Sequence, residues 1–207
     1  MSLVYGKSSN GNYTLNIKNN GLFWDKLSYH RSLGDCYTLV GGTGLNSTDV
    51  TDKGISCIFN NASGKKVLVY FIDIDVIGKL TTGSSTISIE TINSIPTGIY
   101  HSNADGNQCG NLLVGGALPT TLVSLKYGIS NTDFTSDKVL FKEYIKHSSD
   151  STDTDKSYKV NNYNEMIEIP YGYGIISRIQ NANNTDNVTI QTGSTMKFII
   201  VDENVDI

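Results

Sequence analysis

The segment Ile55-Ser56-Cys57-Ile58-Phe59, then Asn60-Asn61-Ala62-Ser63-Gly64-Lys65-Lys66, then Val67-Leu68-Val69-Tyr70-Phe71-Ile72-Asp73-Ile74-Asp75-Val76-Ile77 sets the fold class of this chain. Two runs of β-branched and aromatic residues flank a polar, Gly-containing turn, which is the pattern of a β-hairpin. In the second run Leu68, Tyr70, Ile72, Ile74 and Val76 occupy the even positions, while the odd positions pass from Val67, Val69 and Phe71 to Asp73 and Asp75. Side chains alternate between the faces of a strand. The even face is therefore predicted to be core throughout, and the odd face covered at one end and wet at the other, as in a central strand of a two-layer β protein.

Outward from this hairpin the same grammar recurs. Thr86-Ile87-Ser88-Ile89-Glu90 alternates, as do Thr121 to Tyr127 and Met166 to Ile169, and a last run extends from Val188 to Val201. Residues 138–147 fit either period: Leu140, Phe141, Tyr144 and Ile145 share a helical face, whereas Val139, Phe141 and Ile145 share a strand parity that Glu143 interrupts. Strand is the expectation there, because the neighbours are strands. Toward the N-terminus, Ser9-Asn10-Gly11-Asn12 and Asn19-Asn20-Gly21 are turn signals around an alternating Tyr13 to Ile17, so a small hairpin is expected with Leu22, Phe23 and Trp24 just beyond it. Gly41-Gly42-Thr43-Gly44 lacks the Gly-Lys-Ser/Thr ending of a phosphate loop and is expected to be a flexible connector. Short strands spaced by Gly, Asn and Ser, with no long amphipathic helix, predict an all-β, jelly-roll-like antiparallel β-sandwich. Residues 1–50 form an N-terminal hairpin or arm in this reading, and residues 51–207 the sandwich domain.

Composition narrows the function classes. The formal charge of the 207 residues is −4, and arginine occurs only at Arg31 and Arg178, which argues against a nucleic-acid partner. Met1 to Lys7 lacks a basic-then-apolar leader, and no apolar run approaches the roughly 20 residues that span a bilayer. The expectation is a soluble, non-exported chain with no membrane partner. Cys36, Cys57 and Cys109 are odd in number and widely spaced, unlike a disulfide framework or a zinc site. Asn-x-Ser/Thr sequons at Asn12, Asn46, Asn61, Asn183 and Asn187 are what chance supplies in a chain so rich in these residues.

Few residues suggest chemistry. His30, His101 and His147 stand far apart, and neither a Gly-x-Ser-x-Gly elbow nor a His-Glu-x-x-His motif occurs. Asp73 and Asp75 share one strand face about 7 Å apart, near the carboxylate spacing of an inverting glycosidase; the simpler reading is a solvated half-face. Asp150, Asp153 and Asp155 offer oxygen ligands for Ca²⁺ but miss the EF-hand order, and a solvated acidic loop is the simpler reading. Neither a metal nor a cofactor is expected. Tyr171 and Tyr173, set among glycines after Pro170, are the ligand-binding candidates, in a composition that suits sugar stacking or subunit contact; core or rim packing is the simpler reading in a chain of twelve tyrosines. Phe23 and Trp24 are the interface candidates: Trp24 caps the sandwich or anchors another subunit.

Two pieces resemble known proteins. Tyr5-Gly6-Lys7-Ser8-Ser9-Asn10-Gly11-Asn12-Tyr13, with Asn19-Asn20-Gly21-Leu22, resembles a turn-rich N-terminal segment of tailed-bacteriophage structural proteins. Phe59 to Val67, with Ile169-Pro170-Tyr171-Gly172-Tyr173-Gly174, is similar to the hairpin and late Pro-Gly corner of β-sandwich virion proteins. The resemblance implies a non-enzymatic virion component, a capsid-decorating, head-fibre, tail or baseplate subunit, assembled in the host cytoplasm. It implies contacts with other virion proteins and with further copies of itself, a trimer being favoured. The alternatives are a glycan- or receptor-binding β-sandwich, whose partner is a host-surface glycan, and a carbohydrate-active enzyme using Asp73 and Asp75.

Overall fold

A computed structural model describes residues 3–8, 11–16, 21–45, 52–79, 83–96, 101–102, 109–119, 121–130, 134–147, 154–160, 166–181 and 189–205; side chains are described within 27–42, 54–76, 85–96, 109–119, 121–129, 134–144, 166–180 and 191–205. The chain opens with β1 (Leu3–Ser8), β2 (Gly11–Asn16) and α1 (Gly21–Leu33). It continues through β3 (Cys36–Leu45), β4 (Asp52–Asn60), β5 (Lys65–Lys79) and β6 (Gly83–Ile92). Then follow β7 (His101–Ser102), β8 (Cys109–Asn111), β9 (Val123–Ser130) and β10 (Ser136–His147). The last elements are β11 (Thr154–Val160), β12 (Ile167–Ile169), β13 (Gly174–Asn181) and β14 (Thr189–Asp202).

β1 and β2 form a separate two-stranded antiparallel ladder. The other strands build two sheets, ordered β10-β6-β13-β4-β9-β7 and β11-β5-β14-β3-β8, with β12 also paired to β5. Four antiparallel pairs are nested in the chain: β3 with β14, β4 with β13, β5 with β11 and β6 with β10. Successive pairs fall in alternate sheets, so the long nested ladder is rolled into a two-layer sandwich, the strand order of a jelly roll. The segment between β6 and β10 adds β8 beside β3 and the β9–β7 pair beside β4. Residues 138–147 are strand, within β10.

Four sequence expectations change. Residues 21–33 are a helix, and it goes unannounced because Leu22, Phe23, Trp24, Leu27 and Leu33 do not recur on a regular helical spacing. The helix ends in a Schellman motif, Gly34 N–H to Arg31 O at 3.1 Å and Asp35 N–H to His30 O at 3.0 Å. The Gly41-Gly42-Thr43-Gly44 connector is strand: these residues pair with Ser194, Gly193, Thr192 and Gln191 of β14. Backbone pairing needs no side chains, so polarity and glycine content did not prevent it. With Tyr37 and Leu39 in the core, residues 36–45 belong to the sandwich although they fall before position 51.

The fourth change concerns β5. Phe71 pairs with Lys197 and Val69 with Phe198, so Tyr70 is an extra residue opposite β14. This β-bulge reverses the alternation. Val67 and Val69 point into the inter-sheet core and so do Ile72, Ile74 and Val76, whereas Leu68 and Tyr70 join Leu27 of α1, Cys36, Ile199 and Val201 on the outer face. The even positions are therefore not core throughout.

At one place within the interface the sheets meet through small groups. Ser56 of β4, Ser177 of β13 and Ser194 of β14 are buried, with Oγ atoms 2.9 Å apart between Ser56 and Ser177 and 3.0 Å between Ser56 and Ser194. Three hydroxyls satisfy one another, which makes a buried polar contact tolerable. Gly41 packs beside them: a Cβ there would lie 2.7 Å from Ser56 Cβ and 2.8 Å from Ile55 O. Gly193 has nothing within 4 Å of such a Cβ. Gly41→Ala should lower unfolding stability by about 1–3 kcal/mol through overpacking, whereas Gly193→Ala should leave it unchanged or raise it by up to about 1 kcal/mol. Urea denaturation of the two variants checks this; equal effects would refute the close approach.

Candidate functional site

The corner that follows β12 is held by Asn60, the fully buried last residue of β4. Its N–H donates to Tyr173 O at 2.9 Å and its carbonyl accepts from Gly172 N–H at 3.0 Å. Its Nδ2 donates to Lys65 O at 2.8 Å and to Ile169 O at 3.1 Å, and its Oδ1 accepts from Ala62 N–H at 3.0 Å. One amide side chain thus joins the β4–β5 hairpin to the Pro170–Gly174 corner. Within the corner Tyr173 N–H donates to Pro170 O at 3.2 Å, and Gly172 has φ +79°, the third position of a type II turn, where glycine is favoured. Held this way, Tyr171 and Tyr173 remain 56% and 47% exposed.

Beside the corner lies a groove of about 170 Å³, lined by Thr91 of β6, Asp137 and Lys138 of β10, Ile167, Glu168 and Ile169 of β12, Pro170, Tyr173, and Gly174 and Ile175 of β13. Both sheets contribute to it. Its apolar part is the side of the Ile-Glu-Ile strand and Pro170; its polar part carries both signs of charge. Glu168 is paired with Lys66 at 3.3 Å. Thr91 Oγ1 accepts from Lys138 N–H at 3.0 Å. Asp137 sits at a register shift of β10, between Ser136 opposite Ile92 and Lys138 opposite Thr91, and bulges re-aim side chains in this way.

Behind the groove is a charge pair that sequence patterning passed over. Arg178 Nη1 donates to both carboxylate oxygens of Glu90, at 3.2 and 3.0 Å, and Ser88 Oγ donates to Oε1 at 2.6 Å. Burial alone would push the Glu90 carboxyl up. Hydrogen bonds from Ser88 and Ser136 and the Arg178 guanidinium outweigh it and hold the carboxyl below its usual range. The Ser136 bond ties the start of β10 to β6, next to Asp137. The signal available in the sequence was Glu90 at the end of an alternating run and Arg178 inside an apolar one, two charges on strands whose partners are known only once the sheet is formed.

Of the sequence-predicted residues, Tyr173 lines the groove and Tyr171 stands on the same turn outside its lining. Asp73 is half-buried and Asp75 exposed; both lie on β5, at register positions opposite Lys159 and Ser157 of β11, and neither lines the groove. Asp150 and Asp153 lie outside the described residues, and Asp155 is described only as a backbone position of β11, opposite Ile77. Phe23 and Trp24 are backbone positions of α1 whose side chains lie outside the described residues. Among the described residues no group of three or more His, Cys, Asp or Glu could hold a metal ion. Cys36, Cys57 and Cys109 are free and buried; burial pushes the first two thiols up to about 12 and the third to about 11. No helix among the described residues is long and apolar enough to cross a membrane. No protein-family model matches the chain, and comparison with curated proteins finds no match.

Two outcomes follow from the bonds around the groove. Asn60→Ala leaves the carbonyls of Lys65 and Ile169 without their donor and should cost about 2–3 kcal/mol in urea unfolding; a loss below about 0.5 kcal/mol would mean that the corner holds itself. Glu90→Gln removes the carboxylate charge that Arg178 Nη1 contacts and should cost about 3 kcal/mol at neutral pH. The folded-state carboxyl titrates below its ordinary value of 4.5. Its stabilisation is therefore complete above that value and is lost as pH falls through the folded one. The gap between wild type and Glu90→Gln should accordingly shrink as pH falls below 4.5 and through the folded value, and a constant gap would assign the loss to packing alone.

Proposed function

We propose that this chain is a non-enzymatic virion structural protein that acts through its outer surface, in contact with further copies of itself and with other proteins of the particle. The observation that carries the reading is the jelly-roll strand order around a filled interior. Leu39, Ile55, Ile58, Ile87, Phe198 and their neighbours are essentially inaccessible and leave the sheets packed on each other, and such rolls serve as viral capsid and lectin domains. What such a roll offers lies outside it. Val139, Leu140 and Tyr144 are 54%, 46% and 69% exposed on β10, at the end of its sheet, and Leu113 and Val114 protrude after β8. Exposed apolar groups of this kind suit contact surfaces, while Lys138 and Lys142 on the same edge discourage strand-to-strand addition. The resemblance of the N-terminal segment and of the hairpin and corner to phage virion proteins points the same way, and a trimer assembled in the host cytoplasm is the favoured form.

A second reading, a glycan- or receptor-binding sandwich, is favoured by one specific observation: an exposed tyrosine, Tyr173, beside a groove with polar walls. Quantitative mass spectrometry of purified particles should find this polypeptide in a copy number that is a multiple of a particle symmetry, and light scattering of the isolated chain should give a mass about three times the monomer's. Absence from particles overturns the virion reading, and a monomer at high concentration removes self-assembly.

A further inference from the structure

We propose that the groove beside Tyr173 is a binding site for a single uncharged pyranose residue. This inference rests on the glycan-binding reading and names its ligand class. The groove's volume of about 170 Å³ is well below the roughly 300–1,000 Å³ of pockets that enclose drug-sized ligands. That leaves room for one ring at a chain end, with too little depth for a peptide segment. An aromatic ring held at one side and Ile167, Ile169 and Pro170 beside it match the apolar C–H face of a pyranose. The hydroxyls on the sugar's edge each donate and accept, so they require acceptors and donors side by side. Asp137 supplies an acceptor and Lys138 a donor, and Thr91 Oγ1, which accepts from Lys138 N–H, keeps its own hydrogen to give.

Charge selects against ionic sugars. Glu168 is neutralised by Lys66 at 3.3 Å, and Asp137 and Lys138 oppose each other in sign, so the groove presents polarity without net charge. Preorganisation comes from behind: Asn60 fixes the corner that carries Tyr173, and the Glu90–Ser136 bond fixes the start of β10 that carries Asp137. Asn60 is thus a positioning residue, and Tyr173 and Asp137 are the contacts. Tyr171 is the built-in contrast, since it shares the turn and the exposure but not the groove.

Saturation-transfer NMR with the full chain and a panel of methyl pyranosides (glucoside, galactoside, mannoside, N-acetylglucosaminide and, as the charged member, a sialoside) tests the assignment. At least one neutral pyranoside should bind, with a dissociation constant on the order of 1 mM, as expected for a ligand of this size. Tyr173→Ala should weaken it about tenfold while Tyr173→Phe stays within about twofold, because the ring face is the contact. Asp137→Asn should weaken binding, and Tyr171→Ala should leave it unchanged. Binding unaffected by both Tyr173→Ala and Asp137→Asn would overturn the groove assignment and leave the glycan-binding reading intact. Tighter binding of the sialoside would overturn the uncharged ligand. Failure of every pyranoside at tens of millimolar would overturn the inference and the glycan-binding reading together, with the virion reading still decided by particle composition.

Discussion

The extra residue at Tyr70 is the constraint on which the sandwich depends. β5 is the longest strand and pairs with β14, β11 and β12, so its side chains must serve both faces of its sheet along the whole length. A strand with strict alternation would turn either Val67 and Val69, or Ile72, Ile74 and Val76, away from the inter-sheet core. Burying each such side chain is worth about 1.5–3 kcal/mol. The bulge keeps both sets inside and delivers Leu68, Tyr70 and Phe71 to the outer face, where Leu27 of α1 and Cys36 meet them. It also places Asp73 and Asp75 on the outside. The acids that looked most like a catalytic pair are thus on the sheet's outer face as a consequence of core packing.

The same economy of elements positions the groove. β4 ends at Asn60, and its amide answers donors and acceptors on both the following hairpin and the late corner. A segment from the end of the chain is thereby pinned to one from its first third, which is what the nested strand pairing requires, since β13 returns beside β4. With the corner fixed, β12 stays in one sheet and β13 enters the other, and the gap between them is the groove. The Glu90–Arg178 pair performs the matching task on the other wall, joining β6 to β13 and, through Ser136, to β10.

Local patterning in the sequence carried most of the strands. Val67 to Val76, Thr86 to Glu90 and Val123 to Tyr127 are strands that send alternate apolar residues into the inter-sheet core, with the alternation of the first reset at Tyr70. The parity of β5 was not legible, because a bulge is set by the partner strand, and nothing in Tyr70-Phe71 marks an extra residue. α1 was missed because its apolar residues are irregularly spaced; Gly34 after His30-Arg31-Ser32-Leu33 was the available stop signal. Gly41-Gly42 looked like a linker because its value lies in the close approach of Ser56, which is tertiary information. For the site, Pro170-Tyr171-Gly172-Tyr173 was legible as an exposed aromatic corner. Asp137, Lys138 and Thr91 were not, since they reach Tyr173 only through strand order.

At Tyr173 a buried amide network holds an exposed residue beside the groove walls that β6 and β10 supply. The most direct measurement is an amide ¹H–¹⁵N correlation titration of the full chain with the best-binding neutral methyl pyranoside. Progressive shifts centred on the amides of Thr91, Lys138, Tyr173 and Gly174, with α1 and the Asp73–Asp75 region silent, are the predicted result. Shifts centred on α1 or on Asp73 and Asp75, with the Tyr173 corner silent, would contradict it.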